Sequence, residues 1–139
     1  MAAVTAESPE RAELDLELPS HARSVGLARE AVVDFARRAG APVDDVKLAV
    51  SEAVGNAVMH AFRDTAPGAI TLQARQEPDR LVVTVADDGR GMSPNLDSPG
   101  LGLGVSLITR LALDVRFDSS DHGTTVSMSF PATAGRERV

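Results

Sequence analysis

Apolar alternation in this chain comes in neighbouring pairs of segments, and that pairing limits the folds open to it. Residues 69–75 and 80–86 read as two strands joined by the turn Glu77-Pro78-Asp79, and residues 114–119 and 124–130 as two more, turning at Asp121-His122-Gly123. In 80–86, Leu81, Val83 and Val85 alternate with Val82 and Thr84, the near-continuous apolar character of a strand in a sheet interior. An earlier strand is written by Leu14, Leu16 and Leu18, which alternate with charged residues until Pro19 ends the run. Ser20 is placed to cap a helix running to about residue 39, with Val25, Ala28, Val32 and Phe35 as its apolar stripe, Leu27 and Ala31 widening it, and Gly40 stopping it. Pro42 opens a second helix, where its missing N–H costs nothing. Val46, Ala49, Val50, Ala53, Val54, Ala57 and Val58 fill the inner face of that helix, which ends near Phe62 ahead of a turn at Pro67-Gly68. A third helix is expected over about 105–113. The order is strand, two helices, two strands, helix, two strands. It argues for an α+β two-layer sandwich, a mixed or antiparallel sheet covered on one face by helices. It argues against a doubly wound dinucleotide fold, in which strands and helices alternate.

A chain of 139 residues is one domain's worth. We expect the domain over 12–133, with loose polar tails at 1–11 and 134–139. Aromatic residues are 3% of the chain, with no Trp or Tyr, so the core must be Val, Leu, Ala and Ile, and a base-stacking surface is a poor expectation. The net charge of −6 argues against direct nucleic-acid binding and suits solubility or a basic protein partner. With no Cys, disulfides and thiolate metal sites are excluded. The N-terminus has neither the basic nor the apolar region of a secretory signal, and no apolar run approaches the ~18 residues of a membrane span. The expectation is a cytoplasmic protein that does not enter a membrane.

Three segments carry chemistry. Glu52, Asn56 and His60 are four apart in a helix otherwise rich in Ala and Val, so they share one slowly rotating face. That face is either a solvent edge or a site. An Asn carbonyl oxygen is a hard ligand of the kind Mg²⁺ accepts, and a Glu one turn earlier could take a proton from an attacking hydroxyl. Next comes Asp87-Asp88-Gly89-Arg90-Gly91, directly after a strand. A carboxylate there could accept a hydrogen bond from a base's exocyclic amine, with bare backbone beside it for close approach; a plain Asp-Gly turn is the other reading. A calcium loop fails, because Gly89 and Ser98 stand where ligands are needed. The third is Gly100-Leu101-Gly102-Leu103-Gly104, opening a helix. Unshielded backbone N–H groups at a helix start bind phosphates, and a hinge is the alternative. The spacing matches neither the dinucleotide nor the P-loop fingerprint.

The three segments in this order, followed by Gly123-Thr124 in a late strand, resemble the pattern of the GHKL ATPases over about 46–130. Glu-Ala-Val-x-Asn-Ala-x-x-His-Ala, the leading strand and the helix after Leu-Pro-Ser are similar to those of the bacterial anti-sigma-factor serine kinases. The resemblance implies a Bergerat-type ATP-binding fold using ATP and Mg²⁺. In it Glu52 is the catalytic base and Asn56 the metal ligand. Asp87 reads the adenine amine, with Gly89 and Gly91 beside it, and Thr124 supports the adenine edge. Gly100, Gly102 and Gly104 bind phosphates under a short lid at 92–99. Arg90, Arg23 or Arg29 is expected to meet phosphate charge, and His60 to be structural. The implied activity is phosphorylation of a serine on an anti-anti-sigma (STAS-like) protein, with sequestration of a sigma factor, by a homodimer. The alternative is a non-catalytic nucleotide-binding module that controls a protein partner.

Overall fold

The computed structural model describes residues 13–64, 68–88, 107–120 and 123–133, with side chains for all of these except 60–64 and 120. In chain order the elements are β1 (Glu13–Pro19), α1 (Arg23–Ala39), α2 (Val43–Asp64), β2 (Ala69–Glu77) and β3 (Arg80–Asp87). A short helix α3 at 107–111 follows, then β4 (Asp114–Ser120) and β5 (Gly123–Pro131). The strands form one sheet in the order β1-β2-β3-β5-β4, and every described pairing is antiparallel. The sheet expected as mixed or antiparallel is therefore antiparallel among the described strands. The expected tails and the lid at 92–99 lie outside the described residues.

Period-two alternation sends one face of the sheet into the core. Ile70, Leu72 and Ala74 of β2, Leu81, Val83 and Val85 of β3, and Val126, Met128 and Phe130 of β5 are all buried. Against them lie Ala28, Val32, Phe35 and Ala36 of α1 and the whole expected inner face of α2, from Val46 to Val58. Each fully buried Val is worth about 1.5–3 kcal/mol over its exposed state. Small Ala and Val side chains let α2 sit close over β3, which it contacts directly.

Leu27 does not widen the stripe: it is 46% exposed. It lies about 100° around the helix from Ala28, beyond the arc that Ser24, Ala28, Val32 and Phe35 bury. Ser20 does not cap α1 either. The helix starts after Ala22, with no side-chain cap. The entry is instead a tight turn in which His21 N donates to Pro19 O and Ser24 N to His21 O, with Arg23 N donating to His21 Nδ1 at 3.1 Å. The Ser20 N–H is already committed to Gly68 O at 3.2 Å, and the fully buried Ser24 hydroxyl donates to Pro19 O. Gly40 does stop the helix, in the left-handed conformation at φ 72. Gly40 N donates to Arg37 O and Ala41 N to Ala36 O, which satisfies the last carbonyls.

Two other boundaries differ. The β2–β3 register runs on to Glu77↔Arg80, so the turn is the two residues Pro78 and Asp79, and Asp87 closes β3 instead of opening a loop. The third helix gives way before Leu113, because Leu113 N donates to Ser129 O at 2.7 Å and has already joined the sheet edge.

Candidate functional site

Asp87 and Thr124 are cross-strand partners in the β3–β5 register. Both continue the inward series of their strands, two residues from Val85 and Val126, so both point toward the helical layer. Thr124 is 2% exposed, and its hydroxyl lies 3.3 Å from that of Ser119, its partner on β4. From the opposite layer, Ala53, Asn56 and Ala57 project from α2 at helical spacing. Between the layers is a half-open recess of about 390 Å³ including its mouth, lined by Ala53, Asn56, Ala57, Val85, Asp87, Ile108, Val115, Phe117, Thr124 and Val126. Its chemistry is a mainly apolar slot whose lining includes three polar groups: an amide, a carboxylate and a hydroxyl. An apolar slot with a few convergent polar groups is the usual form of a small-molecule site.

The structure thus brings Asn56, Asp87 and Thr124 to one recess. Glu52 stands one turn before Asn56 on α2, half-buried and outside the recess lining. Gly89, Gly91, Gly100, Gly102 and Gly104, with Arg90 and the side chain of His60, lie outside the described residues. Arg29 reaches across from α1: its Nε donates to Ser51 Oγ at 3.0 Å, and Ser51 Oγ donates to Lys47 O at 2.7 Å. The contact falls on the residue next to Glu52. No group of three or more His, Cys, Asp or Glu able to hold a metal occurs among the described residues. No helix there is long and apolar enough to cross a membrane.

Sequence reasoning missed several residues here. Val115 and Phe117 wall the recess from β4, and Phe117 remains 40% exposed at the mouth. Their alternation with Asp114, Arg116 and Asp118 was the available signal. Ile108 of α3, 2% exposed, closes the slot from the third side. Asp88 and Gly68 carry no such local signal. The Asp88 carboxylate accepts a hydrogen bond from Ala69 N at 3.0 Å, a contact spanning 19 positions of chain.

The architecture is a helical layer over an antiparallel sheet, with a slot that carries three polar groups between them. The chain belongs to the histidine kinase-like ATPase domain family, whose profile matches residues 18–130. Its curated relatives include serine-protein kinases. It is 32% identical to the serine-protein kinase RsbW of Listeria innocua, over 84% of this chain and 85% of that protein. It is 31% identical to the serine-protein kinase RsbW of Bacillus subtilis, over 84% of this chain and 83% of that one. Among solved structures, the RsbU and RsbW domains of Rv1364c from Mycobacterium tuberculosis share the fold, with a TM-score of 0.68 at 21% identity. That match covers 88% of this chain and 33% of the other. The histidine kinase domain of a blue-light activated histidine kinase from Erythrobacter litoralis matches with a TM-score of 0.58 at 28% identity, over 84% of this chain and 63% of that one.

Proposed function

We propose that this protein is an ATP-dependent serine kinase that phosphorylates an anti-anti-sigma protein of the STAS type and holds a sigma factor in check. The observation that carries the reading is the recess uniting Asn56, Asp87 and Thr124 between α2 and the β3–β5 pair. Its walls of Ala, Val, Ile and Phe suit a flat purine, and its polar groups suit an edge carrying an amine. Asp87 would accept a hydrogen bond from that amine, and Thr124 would support the same edge. Asn56 offers an amide oxygen to Mg²⁺, which keeps most of its waters and needs few protein ligands. Gly100, Gly102 and Gly104 are assigned to the phosphates and Gly89 and Gly91 to close approach beside Asp87.

When bound, Mg-ATP supplies the phosphoryl group and the neutralisation of its charge. The chain's own part is positioning and proton transfer. Glu52 would take the proton of the partner's serine hydroxyl as the serine oxygen bonds to the γ-phosphorus and the bond from that phosphorus to the ADP leaving group breaks. Arg29 reaches Ser51, the residue before Glu52, in an exposed hydrogen bond. The similarity to serine-protein kinases supports serine as the acceptor. A cytoplasmic homodimer is the form we expect to act.

The test is transfer of labelled phosphate from ATP to a purified STAS-domain partner. Glu52→Gln should lower transfer by a factor of about 10²–10⁴ while leaving Mg-ATP binding in place. Undiminished transfer by that variant would remove Glu52 from the chemistry. Tight nucleotide binding by the wild type with no transfer to any partner would leave a regulatory binding module instead.

A further inference from the structure

Asp87 ends β3, where the ladder of backbone hydrogen bonds also ends, and strand ends fray. Beyond the pairing of Asp87 with Ile70 and Thr124, a side-chain contact braces this one. On the β2 side, Asp88 stands one register step beyond the Ile70↔Asp87 pair, and its Oδ1 takes the Ala69 N–H at 3.0 Å. A side-chain carboxylate thus adds one further rung where the backbone provides none, and a charged acceptor makes a stronger rung than a carbonyl. Gly68 leaves room for it: a Cβ on Gly68 would stand 2.6 Å from Asp88 Oδ1 and 3.6 Å from Ser20 Oγ. Gly68 O in turn accepts from Ser20 N at 3.2 Å, so the clasp joins the end of β3 to the start of β2 and to the β1–α1 turn. On the β5 side, a Cβ on Gly123 would collide with the Asp87 carbonyl oxygen.

We propose that Asp88, seated over the bare Cα of Gly68 and bonded to Ala69 N–H, is a positioning residue that holds Asp87 for recognition of the adenine amine. The proposal rests on the adenine reading of Asp87. It gives the second acidic residue of Asp87-Asp88 a task different from the first: Asp87 faces the recess, and Asp88 faces back along the sheet. If the clasp is lost, the strand loosens directly after its last backbone pair, at Asp87, and two properties suffer together. Affinity for ATP falls, and so does the preference for ATP over GTP, which presents a carbonyl where ATP presents the amine.

The experiment titrates Mg-ATP and Mg-GTP into the full chain by calorimetry. Asp88→Ala should weaken ATP binding about tenfold, the upper scale of one ordinary hydrogen bond, and narrow the ATP-to-GTP ratio. Asp88→Asn keeps an oxygen acceptor and should return to within about threefold of the wild type. Gly68→Ala keeps every polar group but displaces the carboxylate, and should reproduce Asp88→Ala if that variant is too unstable to measure. Asp87→Asn runs alongside. ATP affinity and base preference unchanged in both Asp88→Ala and Gly68→Ala, with Asp87→Asn defective, would overturn the clasp and keep the adenine reading. An equal loss in Asp88→Asn and Asp88→Ala would also overturn it, because the hydrogen bond would not be the carrier. Unchanged ATP binding by Asp87→Asn would overturn the adenine reading itself, and the positioning role with it.

Discussion

Replacing Gly123 by Ala should destabilise the protein more than any other single methyl group added at a described glycine. Two costs add. The backbone at Gly123 has φ 139, a region that residues with a Cβ enter at about 1–3 kcal/mol. The added Cβ also meets backbone: it collides with the Asp87 carbonyl oxygen and stands 3.1 Å from the carbonyl carbon and 3.2 Å from Asp88 Cα. None of these atoms can rotate away, so β5 must part from β3 at the Asp87↔Thr124 pair. Overpacking of this kind costs about 1–3 kcal/mol. The sum, about 2–6 kcal/mol, is a large part of the 5–15 kcal/mol that holds a typical domain together. Equilibrium urea unfolding followed by circular dichroism reads it directly. With a slope of about 1–3 kcal/mol per molar, the midpoint should fall by about 1 M or more at unchanged slope. Mg-ATP affinity should fall in the same variant, since the displaced carbonyl belongs to Asp87. A midpoint within the error of the wild type would refute the reasoning, because it would mean that the strand end yields without cost and does not hold Asp87 in place.

Two further substitutions separate packing from backbone effects. Gly26→Ala adds a methyl to an exposed position of α1 with no atom within 4 Å, and should raise stability by about 0.5–1 kcal/mol, seen as a higher urea midpoint; a fall would mean that α1 is strained there. Phe130→Ala empties a fully buried site near the end of β5 and should cost about 3–5 kcal/mol by the same assay, with ATP affinity per folded molecule nearly unchanged because Phe130 lies outside the recess lining.

The sequence was most legible where one period governed a whole element. All seven residues expected on the inner face of α2 are buried, because its Val and Ala residues recur at helical spacing and its polar residues fall at the edge of that face or on the other side, which admits one inward face. The paired strands and the element order were equally plain, since alternation and turn residues are local. Ser20 shows where that legibility stopped. Its type and place before an apolar stripe are those of a helix cap, but its N–H bonds Gly68 O, which is 48 positions away in the chain. Local propensity loses to a contact it cannot see. Asp88 is the same case inside the site: read alone, Asp-Asp-Gly is a turn with one residue singled out, and only the β2–β3 register shows that the second carboxylate meets Ala69 N–H.

Asp87 and Thr124 belong to the site by the same rule that builds the core. Side chains on a strand alternate, so a one-residue slip of β3 would turn Asp87 away from α2 and expose Val83 and Val85, and a slip of β5 would do the same to Thr124, Val126 and Met128. The core therefore enforces the register, and the register enforces where the polar groups of the recess stand. Asn56 is tied in the same way, since Ala53 and Ala57, which share its face, are themselves buried against the sheet. Each polar group of the site is thus the continuation of an apolar series. The slot needs no loop to bring its three polar groups together, and loop residues can be given over to phosphates and partners. Substitutions on the outer face of the sheet, at Thr84 or Ser127, whose hydroxyls meet at 3.2 Å, leave that series intact. Substitutions at Val85 or Val126 disturb the core and the site at once, which is why stability and nucleotide affinity should fall together there and separate elsewhere.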